Sequence, residues 1–171
     1  MVHNAYVALG SNLSDPVLQV NHAFAALNTI PRTNVINQSS LYKTAPIGYD
    51  NQPDFINAVA ELMTELSPEA LLKELLLIES SFGRERSIPN APRILDLDLL
   101  LYENVIQKTS FLTLPHPRMH ERGFVLLPLA EIAPTLMINC DEIIPKRCNV
   151  VKLAQYYQNQ SIIKLNNHHQ A

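Results

Sequence analysis

The sequence predicts an α+β fold in which helices pack on an antiparallel sheet. Three observations predict it. Segments with strand-like and helix-like apolar spacing follow one another along the chain. Two of the strand-like segments are direct neighbours, as in a hairpin. Segments rich in proline and glycine separate the elements. With 171 residues, 47% hydrophobic and 17% charged, the chain is long enough for one domain with a sizeable core.

The individual elements are predicted from short-range signals. A cap residue followed by proline predicts a helix start at Ser14-Asp15-Pro16 and again at Ser67-Pro68. Segments rich in β-branched and apolar residues predict strands. In chain order we expect a strand over 5–9 closed by a turn at Gly10-Ser11-Asn12, a helix from 14 to 31, strands over 35–44 and 55–66, a helix from 67 to 83, a strand over 94–102, a helix over 119–132 and a short helix over 150–157.

This order of elements is that of a ferredoxin-like βαββαβ sandwich. Such a fold has an antiparallel sheet with helices packed on one face. The segments after the sixth element are C-terminal extras to this core. No long linker or internal repeat interrupts the order, so we expect a single domain over residues 1–171.

Composition disfavours several functional classes. The formal net charge of −3 does not favour general binding of nucleic acid. The start of the chain lacks a basic and apolar leader, and no apolar run approaches membrane-spanning length. Cys140 and Cys148 lack the paired spacing of a zinc site, and we interpret them as free thiols. We therefore expect a cytoplasmic monomer that binds neither membrane nor nucleic acid.

The sharpest chemical feature is the pair Asp96 and Asp98. Side chains two apart on a strand point to the same face, so both carboxylates lie side by side. A divalent cation would relieve the repulsion between them, and oxygen ligands favour Mg²⁺. From this pair alone, a solvated sheet face that carries two acids by chance is the simpler interpretation.

Basic residues precede this pair in one loop, at Arg84, Arg86 and Arg93. The planar guanidinium group suits phosphate oxygens, so the combination is typical of a site for metal-bound polyphosphate. Each arginine taken singly is equally well explained as a surface charge. Because the chain has no glycine-rich phosphate loop, metal and side chains would hold the phosphates. Glu79, on the helix before this loop, is interpreted as part of a solvated face.

A polar cluster lies just before the third predicted helix, with His116, Arg118 and Arg122. It lacks the H-E-x-x-H pattern of a zinc site. Near a helix start, these groups suit an anion. A merely polar first turn is an equal alternative.

Two aromatic residues, Phe55 and Phe124, lie beside polar ones, of which Asn57 is the most informative. An aromatic pair can enclose a flat ring while an amide binds its edge. Taken alone, each phenylalanine is more often part of a core.

Six motifs in order carry a resemblance over most of the chain, thinning after Ile138. They are Ala8-Leu-Gly-Ser-Asn-Leu, Tyr42-Lys-Thr-Ala-Pro-Ile-Gly, Gln52-Pro-Asp-Phe-Ile-Asn-Ala, Gly83-Arg-Glu-Arg, Pro92-Arg-Ile-Leu-Asp-Leu-Asp and Pro115-His-Pro-Arg-Met-His-Glu-Arg-Gly-Phe. With them the chain resembles the 6-hydroxymethyl-7,8-dihydropterin pyrophosphokinase family of folate biosynthesis. The loop over 87–91 is shorter than in some members.

The resemblance implies transfer of the β,γ-diphosphate of ATP to the hydroxymethyl group of 6-hydroxymethyl-7,8-dihydropterin, with release of AMP. It implies two Mg²⁺ ions held by Asp96 and Asp98, and catalytic roles for these residues. The other implied roles are catalysis by Arg84 and Arg93; pterin binding by Thr44, Pro46, Ile47, Phe55, Asn57 and Phe124; and ATP binding by Glu79, Arg84, Arg86, Arg93, Leu99, Thr113, His116 and Arg122.

Three other functions compete with this one. A non-catalytic ligand-binding module of the same fold would not need the acidic pair and the arginines. Another magnesium-dependent phosphotransferase or nucleotidyltransferase would share them, but the aromatic residues with Asn57 favour a flat acceptor. A nucleic-acid binder would need a basic face, which the charge and the acidic strand disfavour.

Overall fold

The elements follow the predicted order, with additions near the C-terminus. The computed structural model describes residues 1–45, 53–83, 94–141, 143, 146–158 and 161–165. The elements are β1 (His3–Ser11), α1 (Pro16–Leu27), β2 (Thr33–Gln38), β3 (Tyr42–Thr44), β4 (Phe55–Thr64), α2 (Pro68–Ser81), β5 (Asp96–Tyr102), β6 (Gln107–Lys108), β7 (Thr113–Leu114), a 3-10 turn (Met119–Glu121), α3 (Gly123–Ile132), β8 (Met137–Asn139), β9 (Arg147–Asn149), α4 (Val150–Gln155) and β10 (Ile162–Lys164).

The main sheet is antiparallel, with the order β10-β3-β4-β1-β5 and with β2 also paired to β4. The predicted strand over 35–44 is split into β2 and β3. At the break, the hydroxyl of Ser39 accepts the hydrogen bond of the Val59 amide at 2.9 Å, in place of a backbone carbonyl. The first strand is longer than predicted, because Gly10 and Ser11 still pair with β4 rather than forming a turn.

Helices cover both faces of the sheet, so the prediction of helices on one face is wrong. Ala5, Val7 and Leu9 of β1 belong to a hydrophobic cluster shared with α1 and α2. The alternate residues Tyr6 and Ala8 belong to a second cluster, shared with α3 and α4. The physical reason is that β1 is apolar at successive positions, so both of its faces need cover.

The helix starts at the two predicted caps are confirmed. The Asp15 side chain accepts a hydrogen bond from the Leu18 amide, and the Ser67 hydroxyl accepts one from the Ala70 amide at 3.2 Å. The helix predicted over 119–132 is broken at Arg122, which has extended backbone, so α3 begins only at Gly123.

In the described part of the chain, no helix is long and apolar enough to cross a membrane.

The two cysteines form a disulfide, so the prediction of free thiols is wrong. The β8–β9 hairpin pairs Ile138 with Cys148, and the Cys140 amide donates to the Lys146 carbonyl at 2.8 Å. This pairing brings the two Cα atoms to 5.9 Å, within the reach of a disulfide. The prediction of free thiols rested on the spacing of the cysteines and on the expected reducing compartment, and neither indicates this hairpin.

Glu131 of α3 ties the helix to the edge of the sheet. Its carboxylate accepts hydrogen bonds from the Ser40 amide at 2.9 Å, the Ser40 hydroxyl at 2.7 Å and the Tyr42 hydroxyl at 2.9 Å. It also pairs with Lys164 of β10 at 3.5 Å. Burial opposes ionisation of this carboxyl, but the Ser40 and Tyr42 donors and Lys164 outweigh it, and the pKa of Glu131 is lowered.

Replacing Glu131 with glutamine should destabilise the protein more at neutral than at acidic pH. A carboxyl whose pKa is lowered on folding stabilises above its unfolded pKa, and this contribution disappears as the pH falls through the folded pKa. We expect a loss of about 1–3 kcal/mol near pH 7, because the donors lose a charged acceptor. Urea unfolding of both proteins at neutral and at strongly acidic pH measures this loss in the free energy of unfolding. Glu65→Gln, at an exposed site, is the control. An equal loss at both pH values would contradict the prediction.

Candidate active site

Asp96 and Asp98 lie side by side at the start of β5, as predicted. Asp96 is paired with Gly10 of β1 and Asp98 with Ala8, so both side chains are on the face that α3 covers. Both are half-buried. Leu97 is buried on the opposite face, in the cluster shared with α1 and α2. The strand alternation therefore places the two carboxylates on the face of α3 and Leu97 on the face of α1 and α2.

Glu79 of α2 is buried, with an exposed fraction of 1%, so its interpretation as a solvated residue is wrong. Its Oε2 accepts the amide hydrogen of Leu97 at 2.8 Å, between the two aspartates along β5. It thereby fixes the end of α2 to the start of β5. A signal was present in the sequence: with Leu71 and Leu75 it forms the buried stripe of α2 at a spacing of four residues.

The predicted pterin residues of β3 and β4 lie on the same face as the aspartates. Asn57 is buried and donates from Nδ2 to the hydroxyl oxygen of Thr44 at 2.9 Å. Phe55 is half-buried and is paired with Thr44. Asn57 is paired with Gly10, which is paired in turn with Asp96 on its other side. One row across three strands therefore joins the predicted pterin and metal groups.

Phe124 and Arg122 lie at the start of α3, which packs over β4 and β3. The Arg122 guanidinium carbon is 5.8 Å from the centre of the Phe124 ring, a cation–π contact. Phe124 is half-buried and packs against the hydrophobic cluster on this face. It therefore belongs both to that cluster and to the candidate site.

The C-terminal segment supports this part of the site, and sequence reasoning missed it. A methyl group at Gly123 would lie 2.6 Å from Cβ of Tyr157 and 2.9 Å from Cδ1 of Ile162, so both residues pack directly on the Gly123 backbone. Ile162 is also paired with Thr44 through β10 and β3. No motif in the sequence indicated this role. The only sequence signal for strand β10 is the pair of adjacent isoleucines, Ile162 and Ile163.

His116 lies near Asp98 and makes two hydrogen bonds with the backbone. Its amide donates to the Leu100 carbonyl at 2.9 Å, and its Nδ1 faces the Arg118 amide at 3.4 Å as an acceptor. Burial lowers the pKa of His116, the nearby Asp98 carboxylate raises it, and Arg122 and Arg118 lower it; the net shift is downward. With Nδ1 as acceptor, the proton of the neutral ring is on Nε2, which can donate to an anion.

The sequence matches the family described as 7,8-dihydro-6-hydroxymethylpterin-pyrophosphokinase (HPPK) over residues 6–134. The chain belongs to the HPPK family. It is 45% identical over 162 residues to the 2-amino-4-hydroxy-6-hydroxymethyldihydropteridine pyrophosphokinase of Haemophilus influenzae, covering 95% of this chain and 98% of that one. It is 44% identical over 128 residues to the enzyme of that name from Bacillus subtilis, covering 75% and 77%. HPPK proteins are ATP-dependent pyrophosphokinases, and this chain is one of them.

Solved structures agree on the fold. A structure titled as HPPK-DHPS in complex with substrates matches with a TM-score of 0.73 at 14% identity, over 95% of this chain and 48% of that one. Plasmodium falciparum HPPK-DHPS with pteroate matches with a TM-score of 0.70 at 16% identity, over 92% and 42%. The chain thus spans less than half of each of these proteins. The likeness supports the ferredoxin-like HPPK fold predicted from the sequence.

Several predicted residues of this HPPK chain do not meet at the site or lie outside the described part. The Leu99 side chain is in the core on the opposite face, so its side chain is not at the predicted ATP site. Thr113 is half-buried on β7, which packs against β5. The predicted residues outside the described ranges are Pro46, Ile47, Arg84, Arg86 and Arg93.

The carboxylate pair has the composition of a magnesium site in an HPPK protein. In residues 1–45, 53–83, 94–141, 143, 146–158 and 161–165, no group of three or more His, Cys, Asp or Glu side chains could hold a metal ion. Mg²⁺ characteristically takes one or two carboxylates and completes its shell with water and substrate phosphates. Two half-buried oxygen ligands on one face therefore fit Mg²⁺ that arrives with ATP.

Proposed function

We propose that this HPPK chain binds 6-hydroxymethyl-7,8-dihydropterin at Thr44, Phe55, Asn57 and Phe124, and binds ATP with two Mg²⁺ ions beside Asp96 and Asp98. The observation that supports it is the row Asn57–Gly10–Asp96 across β4, β1 and β5. An acceptor held at one end of this row would meet a phosphate held at the other. The reaction is transfer of the β,γ-diphosphate of ATP to the hydroxymethyl oxygen.

The acceptor site would work through shape and hydrogen bonding. The carboxamide of Asn57 would bind the polar edge of the pterin, and the rings of Phe55 and Phe124 would enclose its faces. Because Asn57 is buried and its amide is already oriented by the Thr44 hydroxyl, its side chain loses little conformational freedom on binding. Pro46 and Ile47 would contribute backbone groups to the same edge.

The phosphate site would work through charge. His116 would donate from Nε2 and Arg122 from its guanidinium to the phosphate oxygens, together with Arg84, Arg86 and Arg93. Thr113, Glu79 and the backbone of Leu99 would complete the surroundings of ATP. When bound, Mg²⁺ would neutralise the charge that develops on the phosphates. Asp96 and Asp98 would hold it on the face that also carries the acceptor.

The transfer itself needs alignment of the two substrates. The hydroxymethyl oxygen attacks the β-phosphorus and loses its proton, and the bond from the β-phosphorus to the oxygen of the α-phosphate breaks, which releases AMP. Arg84 and Arg93 would stabilise the charge on the transferred group. Positioning and charge stabilisation account for most of the rate in reactions of this class.

The proposal extends to the whole chain as one pterin pyrophosphokinase domain over residues 1–171, acting as a monomer. We also propose a cytoplasmic location, supported by the use of ATP as co-substrate. Disulfides are rare in the reducing cytoplasm, so the state of Cys140 and Cys148 in the cell tests this location. The oxidation state of the two cysteines in freshly isolated, alkylated protein therefore bears on this part of the proposal.

The direct test of the activity is to mix the protein with ATP, Mg²⁺ and 6-hydroxymethyl-7,8-dihydropterin and to separate the nucleotides. We expect one AMP for each pterin diphosphate formed, and none after removal of the metal by a chelator. Formation of ADP would indicate transfer of a single phosphoryl group instead. Tight binding of both substrates without turnover would indicate a binding module.

A further inference from the structure

Gly10 occupies a position in the centre of the sheet where glycine is locally unfavourable. It lies in β1, paired with β4 on one side and β5 on the other. In a strand interior, glycine costs conformational entropy and offers no side chain to pack. Gly83 is the glycine with positive φ among the described residues, so the backbone of Gly10 does not require it. A strand glycine without such a need often marks the close approach of a ligand.

The space above Gly10 is bounded by the amide of Asn57. A methyl group at Gly10 would lie 3.0 Å from Oδ1 of Asn57 and 3.9 Å from the Ile56 carbonyl oxygen. Apart from the chain neighbours Leu9 and Ser11, no other described residue comes within 4 Å of it. The first distance is shorter than an ordinary contact, so Asn57 would have to shift. Gly10 is itself buried, but toward Asp96 no described side chain lies within 4 Å of this methyl position.

Gly10 lies where the two halves of the proposed reaction must meet. Adjacent strands are about 4.8 Å apart, so the Cα atoms of Asn57 and Asp96 are about 10 Å apart with Gly10 between them. A pterin ring whose edge binds Asn57 must extend its hydroxymethyl arm toward the carboxylate pair to reach a phosphate there. That path crosses the surface of β1 at Gly10.

We propose that Gly10 is a specificity-determining residue: its bare backbone is the floor over which the hydroxymethyl arm crosses from the pterin site to the phosphate site. The inference rests on the proposed function. Gly10 has no group that takes part in the chemistry; it acts by leaving room for the substituent that carries the reacting oxygen. Any side chain there would displace the arm and misalign the oxygen.

The test compares two ligands, 6-hydroxymethyl-7,8-dihydropterin and 7,8-dihydropterin without the hydroxymethyl group, with Mg²⁺ and a non-hydrolysable ATP analogue present. In Gly10→Ala we expect the affinity for the first to fall roughly 10-fold or more relative to the second, the usual effect of one carbon in a tight site. Asn57→Ala is the reference, since it should weaken both ligands and leave their ratio unchanged. An unchanged ratio in Gly10→Ala would overturn the proposal, because the methyl group would then act only through Asn57.

A second measurement uses the wild-type protein and so does not depend on how the variant folds. The chain has four glycines, so labelling glycine gives four assignable Cα positions. We expect nuclear Overhauser contacts from the Gly10 Hα atoms to the hydroxymethyl protons of the bound ligand. Their absence in the saturated complex would overturn the proposal while leaving the proposed function intact. Wild-type protein that binds neither pterin would overturn both.

Discussion

Replacing Asp98 with alanine should abolish almost all turnover while the protein still folds. The carboxylate lies half-buried on the sheet face opposite Leu97 and Leu99, so its removal leaves no cavity in the core between the sheet and α1 and α2. It also removes a like charge next to Asp96, which is not expected to destabilise the fold. In the proposed mechanism the activity depends on charge stabilisation at this point, and loss of one such group costs about 10²–10³-fold in rate.

The measurement is kcat as a function of Mg²⁺ concentration, together with thermal unfolding. We expect a much higher Mg²⁺ requirement and a low maximal rate in Asp98→Ala. The matched control is Glu103→Ala: this exposed carboxylate follows the other end of β5 and pairs with His3. It should leave both kcat and the Mg²⁺ dependence unchanged. Ordinary turnover in Asp98→Ala would show that the pair does not hold the metal.

Replacing Gly123 with alanine should destabilise the protein and weaken pterin binding together. The added methyl group would lie 2.6 Å from Cβ of Tyr157, a distance at which one backbone must move. Ile162 is less of an obstacle, since only the end of its flexible side chain comes near, at 2.9 Å. Overpacking of this kind costs about 1–3 kcal/mol. Because Phe124 follows directly, a shift of α3 would move its ring away from the proposed acceptor site.

A compensating substitution separates this steric cause from other effects of alanine. Tyr157→Gly removes the two nearest atoms that the new methyl group would meet. Combining it with Gly123→Ala should therefore show a large favourable coupling in a double-mutant cycle. Tyr156→Gly is the control, since this neighbour is 82% exposed and is not expected to compensate. Urea unfolding and pterin titration measure the two effects. Strictly additive losses would contradict close packing of Tyr157 on Gly123.

Features that depend on local periodicity were predictable from the sequence. The shared face of Asp96 and Asp98 follows from strand alternation alone, and the helix starts at Asp15 and Ser67 follow from local capping. His116 and Arg122 were predicted together because they are near in sequence, and His116 does lie close enough to Arg122 and Asp98 for their charges to affect its pKa. Glu79 was misinterpreted although its spacing from Leu75 predicted burial.

The sequence by itself determined the order of the elements, the acidic strand and the family, because these depend on residue type and spacing along the chain. Tertiary structure alone decided that α3 and α4 cover the second face, that Cys140 meets Cys148, and that Tyr157 and Ile162 support the start of α3. It also decided that Gly10 lies between Asn57 and Asp96. The physical reason is that strand pairing and packing join residues far apart in sequence, and no short-range signal specifies which partners meet.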